Sequence, residues 1–143
     1  ALVFTPGEGA EAGVLTFPAA FAGEIAEADG NDPRPRLIAY AANRRWQSET
    51  GGTLVAGVPI ATDDRSKTMV LGARVAAAAD PGWETVWHGA DGQTYPLNAA
   101  AMIAISNAVE VHVNATFATF ATVKADIEAG EITTFAEIDA AFA

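Results

Sequence analysis

From Met102 onward the apolar positions run Ile105, Val109, Val113, Phe117, Phe120, Val123 and Ile127, each three or four residues after the last. That spacing is the period of an α-helix and not the alternation of a strand. No proline follows Pro96 to interrupt it. Asn98 suits the N-cap, Leu97 and Met102 stand where a hydrophobic staple would, and Gly130 suits the left-handed residue that closes a helix. About 31 residues at ~1.5 Å each predict a rod of roughly 46 Å. A compact domain of this chain length has a diameter of about 37 Å. The stripe is therefore expected to outrun its own globule, with part of it covered by another chain or by another part of this one. Val109, Val113, Phe117 and Phe120, near its middle, are the candidate oligomer interface.

The remaining pattern predicts short elements. Thr134 and Glu137 stand in capping-box spacing and open a short return helix. Before the long helix, residues 85–88 and 94–97 pair as a hairpin around Asp91-Gly92. Farther upstream, residues 36–50 form a helix with Leu37, Tyr40, Ala41 and Arg44 on one face, ended by Gly51-Gly52. Residues 53–61 give a smaller hairpin around Ala56-Gly57, and Pro59 keeps its second strand at an edge. Thr62 or Asp63 then caps a helix to about Ala79, with Asp63 and Asp64 at its positive end and Asp80-Pro81-Gly82 as its stop.

Asp32-Pro33-Arg34-Pro35 marks a boundary, because a residue before proline is pushed out of the helical region. Residues 1–32 hold glycines at 7, 9, 13, 23 and 30 and two short apolar bursts, Leu2, Val3 and Phe4, then Val14, Leu15 and Phe17. They read as an extended arm with at most short strands and one helical turn near residues 21–28. Leu2, Phe4, Leu15 and Phe17 are its candidate anchors, since such bursts suit strand addition or insertion into a neighbour's grooves. The expected fold class is α+β: an arm over residues 1–32, then a mixed helix and hairpin domain over 33–143 that ends in a long-helix unit, 83–143.

Composition narrows the function. Of the 143 residues, 50% are hydrophobic, yet no run approaches the ~18–20 apolar residues needed to cross a bilayer, so no membrane insertion is expected. The first twenty residues hold no Lys or Arg, so no secretory n-region is expected either. Without cysteine there is no disulfide framework and no thiolate site. A net charge of −10 argues against nucleic acid as a partner, because phosphate backbones are met by Lys and Arg. The charge is segregated. Residues 1–33 carry six acids and no base, residues 34–74 seven bases and three acids, and residues 75–143 nine acids and one base. Either solvation explains this, or an acidic segment docks on the basic middle of a neighbouring copy.

The search for chemistry finds little. There is no phosphate-binding glycine loop, no nucleophile elbow and no His-Glu-x-x-His helix. The three serines, 48, 66 and 106, have no activating His or Asp beside them in sequence. His112 reads as a helix-surface or interface residue. Trp87, His88 and Asp91 combine an aromatic face with hydrogen-bonding groups, which a sugar ring would need. Strand alternation, however, sends Trp87 and His88 to opposite faces, and Trp87, with Trp46 and Trp83, reads as core. Asp29, Asn31 and Asp32 are too compressed for a calcium loop, and a helix N-terminus explains Asp63-Asp64. The expectation is a non-enzymatic protein with no metal and no cofactor.

Arg45-Trp46, Glu49-Thr50-Gly51-Gly52 and Gly57-Val58-Pro59-Ile60-Ala61-Thr62-Asp63 carry a family resemblance. It continues in Gly72-Ala73, in Trp87 and Gly89-Ala90-Asp91-Gly92, and in Ala101-Met102-Ile103-Ala104-Ile105, Val109 and His112-Val113. Over residues 37–143 the chain resembles a domain of unknown function found in bacteriophage and prophage proteins, among them tail, tail-fibre and tail-fibre assembly proteins. That family has no established active-site set to carry over. The resemblance implies a virion structural protein that meets other phage structural proteins, resides in the virion and passes through the host cytoplasm during assembly. The usual symmetry of phage fibres makes a trimer the first homo-oligomer to expect. The alternatives are a tail-fibre assembly chaperone and a host-surface carbohydrate-binding module.

Overall fold

A computed structural model describes residues 31–143. The arm expected over residues 1–32, with Leu2, Phe4, Leu15 and Phe17, falls almost wholly outside the described residues. The rest of the chain is α+β, as its hydrophobic pattern predicts. The elements are α1 (Arg34–Thr50), β1 (Thr53–Val55), β2 (Val58–Ile60), α2 (Asp64–Ala79), β3 (Glu84–His88), β4 (Thr94–Asn98), α3 (Ala99–Glu128) and α4 (Phe135–Ala141). Each strand pair is its own two-stranded antiparallel sheet.

Local chemistry explains the element ends. α1 starts two residues earlier than the proline rule suggests, because Pro35 falls in the first turn, where no backbone N–H is needed. The Asp32 carboxylate accepts the Arg34 N–H at 3.0 Å there. Gly52, at φ +91°, turns the chain out of α1. Ala56 and Gly57 both adopt positive φ, 49° and 83°, the pair that a tight two-residue hairpin turn requires. Asp63, not Thr62, caps α2, its side chain accepting from the Ser66 N–H.

α3 is 30 residues long. Asn98 caps it by accepting the Ala101 N–H at 2.9 Å. At its far end the Glu131 N–H reaches the Asp126 carbonyl at 2.8 Å and the Gly130 N–H reaches that of Ile127 at 3.1 Å. With Gly130 at φ +81°, these are the two bonds of a Schellman close. The capping box of Thr134 and Glu137 then opens α4.

The chain forms two compact units, one of residues 48–115 and one of residues up to 47 together with 116–143. The first has a core of Ile60, Val70, Ala77, Leu97, Met102, Ile105 and Val109, with Trp83, Trp87 and Tyr95 half-buried against it. In the second, Leu37 and Ala41 of α1 meet Val123, Ile127 and Ile138, with Phe120 and Phe135 packed alongside. The guanidinium of Arg36 lies over the Phe135 ring at 5.1 Å. α3 gives its first half to one core and its second half to the other.

Much of the α3 stripe is therefore covered by other parts of the same chain, one of the two alternatives that the spacing leaves open. Val109 is only 6% exposed, inside the first core. Val113 packs against the same core and Phe120 against the second. Of the four stripe residues expected at an interface, Phe117 keeps the largest exposed share, at 51%.

Candidate functional site

The β3–β4 hairpin carries the residues expected to touch a ligand. Its register sets Trp87 opposite Tyr95 and His88 opposite Thr94. Successive residues of β3 alternate between exposed and half-buried, so Trp87 turns toward the core and His88 toward solvent. The loop beyond is built on Asp91. Its carboxylate accepts the Gln93 N–H at 3.0 Å and the Tyr95 hydroxyl at 2.7 Å. The Tyr95 bond, helped by that of Gln93, holds the Asp91 carboxyl below the usual carboxylate range. The same bond, with some burial, pushes the Tyr95 phenol above its ordinary value.

Gly89 is a requirement of this loop. A Cβ there would stand 2.7 Å from Asp91 Oδ1, 2.8 Å from Tyr95 Cε2 and 3.2 Å from the Pro59 carbonyl oxygen. Next to it, the Ala90 N–H donates to the Pro59 carbonyl at 2.9 Å and fastens the loop to the first hairpin. Trp87 and Asp91 are thus linked through Tyr95, but His88 lies on the other face. The three do not form one sugar platform.

Two open depressions have other linings. One, of about 500 Å³, is bordered by Glu84, Thr85, Val86, Pro96, Leu97 and Asn98. The other, of about 370 Å³, is bordered by Ala118, Thr119, Thr122, Val123, Asp126, Ile132 and Ala141. Each offers a single carboxylate, so neither pairs an acid with a base.

A polar cluster at the end of α1 was not visible in the sequence. The Thr62 hydroxyl donates to the Glu49 carbonyl at 2.6 Å and accepts the Gly52 N–H at 2.8 Å. His112 Nε2 lies 3.0 Å from the Ser48 carbonyl and 3.2 Å from that of Glu49, so it carries the proton and donates. The Glu49 carboxylate pairs with the Lys67 ammonium, both side chains largely buried, and Lys67 also reaches Asp64 at 3.4 Å. The Thr62 proton is committed to a carbonyl and the charges meet one another. This cluster ties the end of α1 to α2 and α3 and leaves no activated nucleophile. Among the described residues no group of three or more His, Cys, Asp and Glu is placed to hold a metal ion.

The basic middle of the chain is mostly engaged from within. Arg44 Nε and the Tyr40 hydroxyl both donate to Asp139 Oδ1 at 2.8 Å. Burial, and then the Asp139 bond, push the Tyr40 phenol above its ordinary value. Arg34 pairs with Asp32, and Arg74 donates to Asn107. Arg45 stacks its guanidinium 3.9 Å from the Phe117 ring centre.

Apolar helix faces are left over. On α2, Leu71 and Val75 are 59% and 62% exposed, and on α3 Val111 is 67% exposed. The hydrophobic pattern alone singles out none of the three. The available signal was that α2, from Met69 to Ala79, is apolar on every side but Arg74, so burying one face had to leave another outside. No helix among the described residues is long and apolar enough to cross a membrane.

The family comparison matches residues 32–142, taking in every hairpin and helix of the described residues. The chain belongs to the family described as a domain of unknown function, DUF4376. No curated protein and no solved structure matches it. The match begins at Asp32, the residue that opens the proline-flanked boundary before α1.

Proposed function

We propose that this protein is a non-enzymatic structural component of a bacteriophage particle, seated in a tail, tail fibre or other appendage and joined to its neighbours through residues 1–32. The phage setting is what the resemblance over residues 37–143 implies. The observation that carries a structural role is the display of two large apolar side chains, Leu71 and Val75, one turn apart on the outward side of α2. Exposed apolar faces of this kind mark surfaces that meet other proteins. Its partners in this reading are other phage structural proteins and further copies of itself. It resides in the virion and passes through the host cytoplasm during assembly. Electron microscopy of particles labelled with gold-conjugated antibody to this chain tests the placement. Label on the tail appendage supports it. Label confined to unassembled material in lysates favours an assembly chaperone instead.

A further inference from the structure

The outward face of α2 has the pattern of a helix meant to meet another helix. Arg65, Thr68, Gly72, Val75 and Ala79 are all exposed or half-exposed and recur at steps of three and four, the seam spacing of paired helices. Met69 and Leu71 flank the seam and are also exposed. Gly72 sits at its centre in ordinary helical backbone, with nothing among the described residues within 4 Å of where a Cβ would stand. Neither a turn nor a close neighbour among the described residues calls for glycine there, although glycine weakens a helix interior. A second helix packed close to the backbone would call for it.

The charges at the two ends of the seam indicate which helix. Arg65 makes no ion pair among the described residues, while Asp63 and Asp64 beside it are engaged by Ser66 and Lys67. At the opposite end stands Asp80. An α2 laid antiparallel on its own copy brings Arg65 of each chain to Ala79 and Asp80 of the other. It also sets the two helix dipoles in opposition.

We propose that α2 is a self-association surface on which a second copy of this chain packs its own α2 antiparallel, about a two-fold axis at Gly72. Such an interface is isologous and closes as a dimer. It stands independently of the placement in a phage particle.

The full chain has no cysteine, so single cysteines report the geometry cleanly. Gly72→Cys is expected to form a disulfide-linked dimer under mild oxidation, because both copies sit at the axis. Arg65→Cys is not, since its two copies lie about 21 Å apart. Mixing Arg65→Cys with Ala79→Cys chains should yield the mixed dimer. Sedimentation equilibrium at about 100 µM, where so small a contact is populated, should return twice the 14.7 kDa chain mass. Val75→Asp should return one chain mass with an unchanged helical circular dichroism spectrum. Arg65→Glu should weaken the dimer roughly tenfold, and adding Asp80→Lys should restore it. A monomeric or trimeric wild type, or cross-linking at position 65 as ready as at 72, overturns the proposal.

Discussion

Tyr40 and Asp139 lie 99 positions apart in sequence and meet through a 2.8 Å hydrogen bond from phenol to carboxylate. Arg44 donates to the same carboxylate oxygen, so one acid on α4 holds two residues of α1. Asp139→Ala should remove both bonds while leaving the apolar contacts of Leu37, Ala41 and Ile138 in place. With the Asp139 side chain half exposed, the expected loss is about 1 kcal/mol, measured by urea denaturation. Absorbance titration should also show the Tyr40 phenol moving back toward the ordinary tyrosine value. An unshifted titration would mean that the Asp139 bond plays no part in holding the phenol protonated.

Two glycines should answer alanine in opposite ways. Gly89→Ala forces a Cβ against Asp91 and Tyr95 and should cost about 1–3 kcal/mol. Gly72→Ala meets open space on a helix and should stabilise the dilute monomer by about 0.5–1 kcal/mol. Thermal melts of both variants at low micromolar concentration check the two signs together.

The hairpin offers a second contrast. Trp87→Ala removes a half-buried ring packed on the first core and should cost about 2–3 kcal/mol, somewhat less than a fully buried aromatic. His88→Ala, on the solvent face, should fall within about 0.5 kcal/mol of wild type. A Trp87→Ala protein that melts like wild type yet loses adsorption to host cells would turn the hairpin into a receptor site.

Acid should loosen α4 first at its capping box. Bonds from the Thr133 backbone and from Thr134 hold the Glu137 carboxyl below its ordinary value. A carboxyl depressed in the folded state contributes stability above its unfolded value near ~4.3, and that stability is lost as pH falls through the lower folded value. The protection of the Thr133 and Thr134 amides, measured against their intrinsic exchange rates at each pH, should therefore fall below about pH 4. Glu137→Gln keeps the box hydrogen bond and should remove this dependence. Protection equally acid-sensitive in the variant would place the cause elsewhere.

What could be read from the sequence was local. Asn98, Gly130, Asp63, Thr134 and Glu137 act within a few residues of themselves, so the ends of α2, α3 and α4 were legible. So were both turns, at Ala56-Gly57 and Asp91-Gly92. The division into two cores was not, because it depends on Leu37 meeting Ile138 and on α3 serving both units. A single apolar stripe along α3 looks the same whether one core or two will cover it. Thr62 was ambiguous for a chemical reason, since a hydroxyl before a helix can cap it or tie down another chain end, and here Asp63 took the cap. In α2 the apolar residues run right round the helix, so periodicity could not say that Leu71 and Val75 would be the ones outside. The Arg45 guanidinium over Phe117 was invisible for the same reason as Tyr40 with Asp139: both pairs are distant in sequence.

Quantitative mass spectrometry of purified phage particles tests the structural role most directly. The expected result is this chain at a fixed, low-integer ratio to a tail component, unchanged through successive purification steps. Abundant chain in infected cells but none in the purified particles would contradict it.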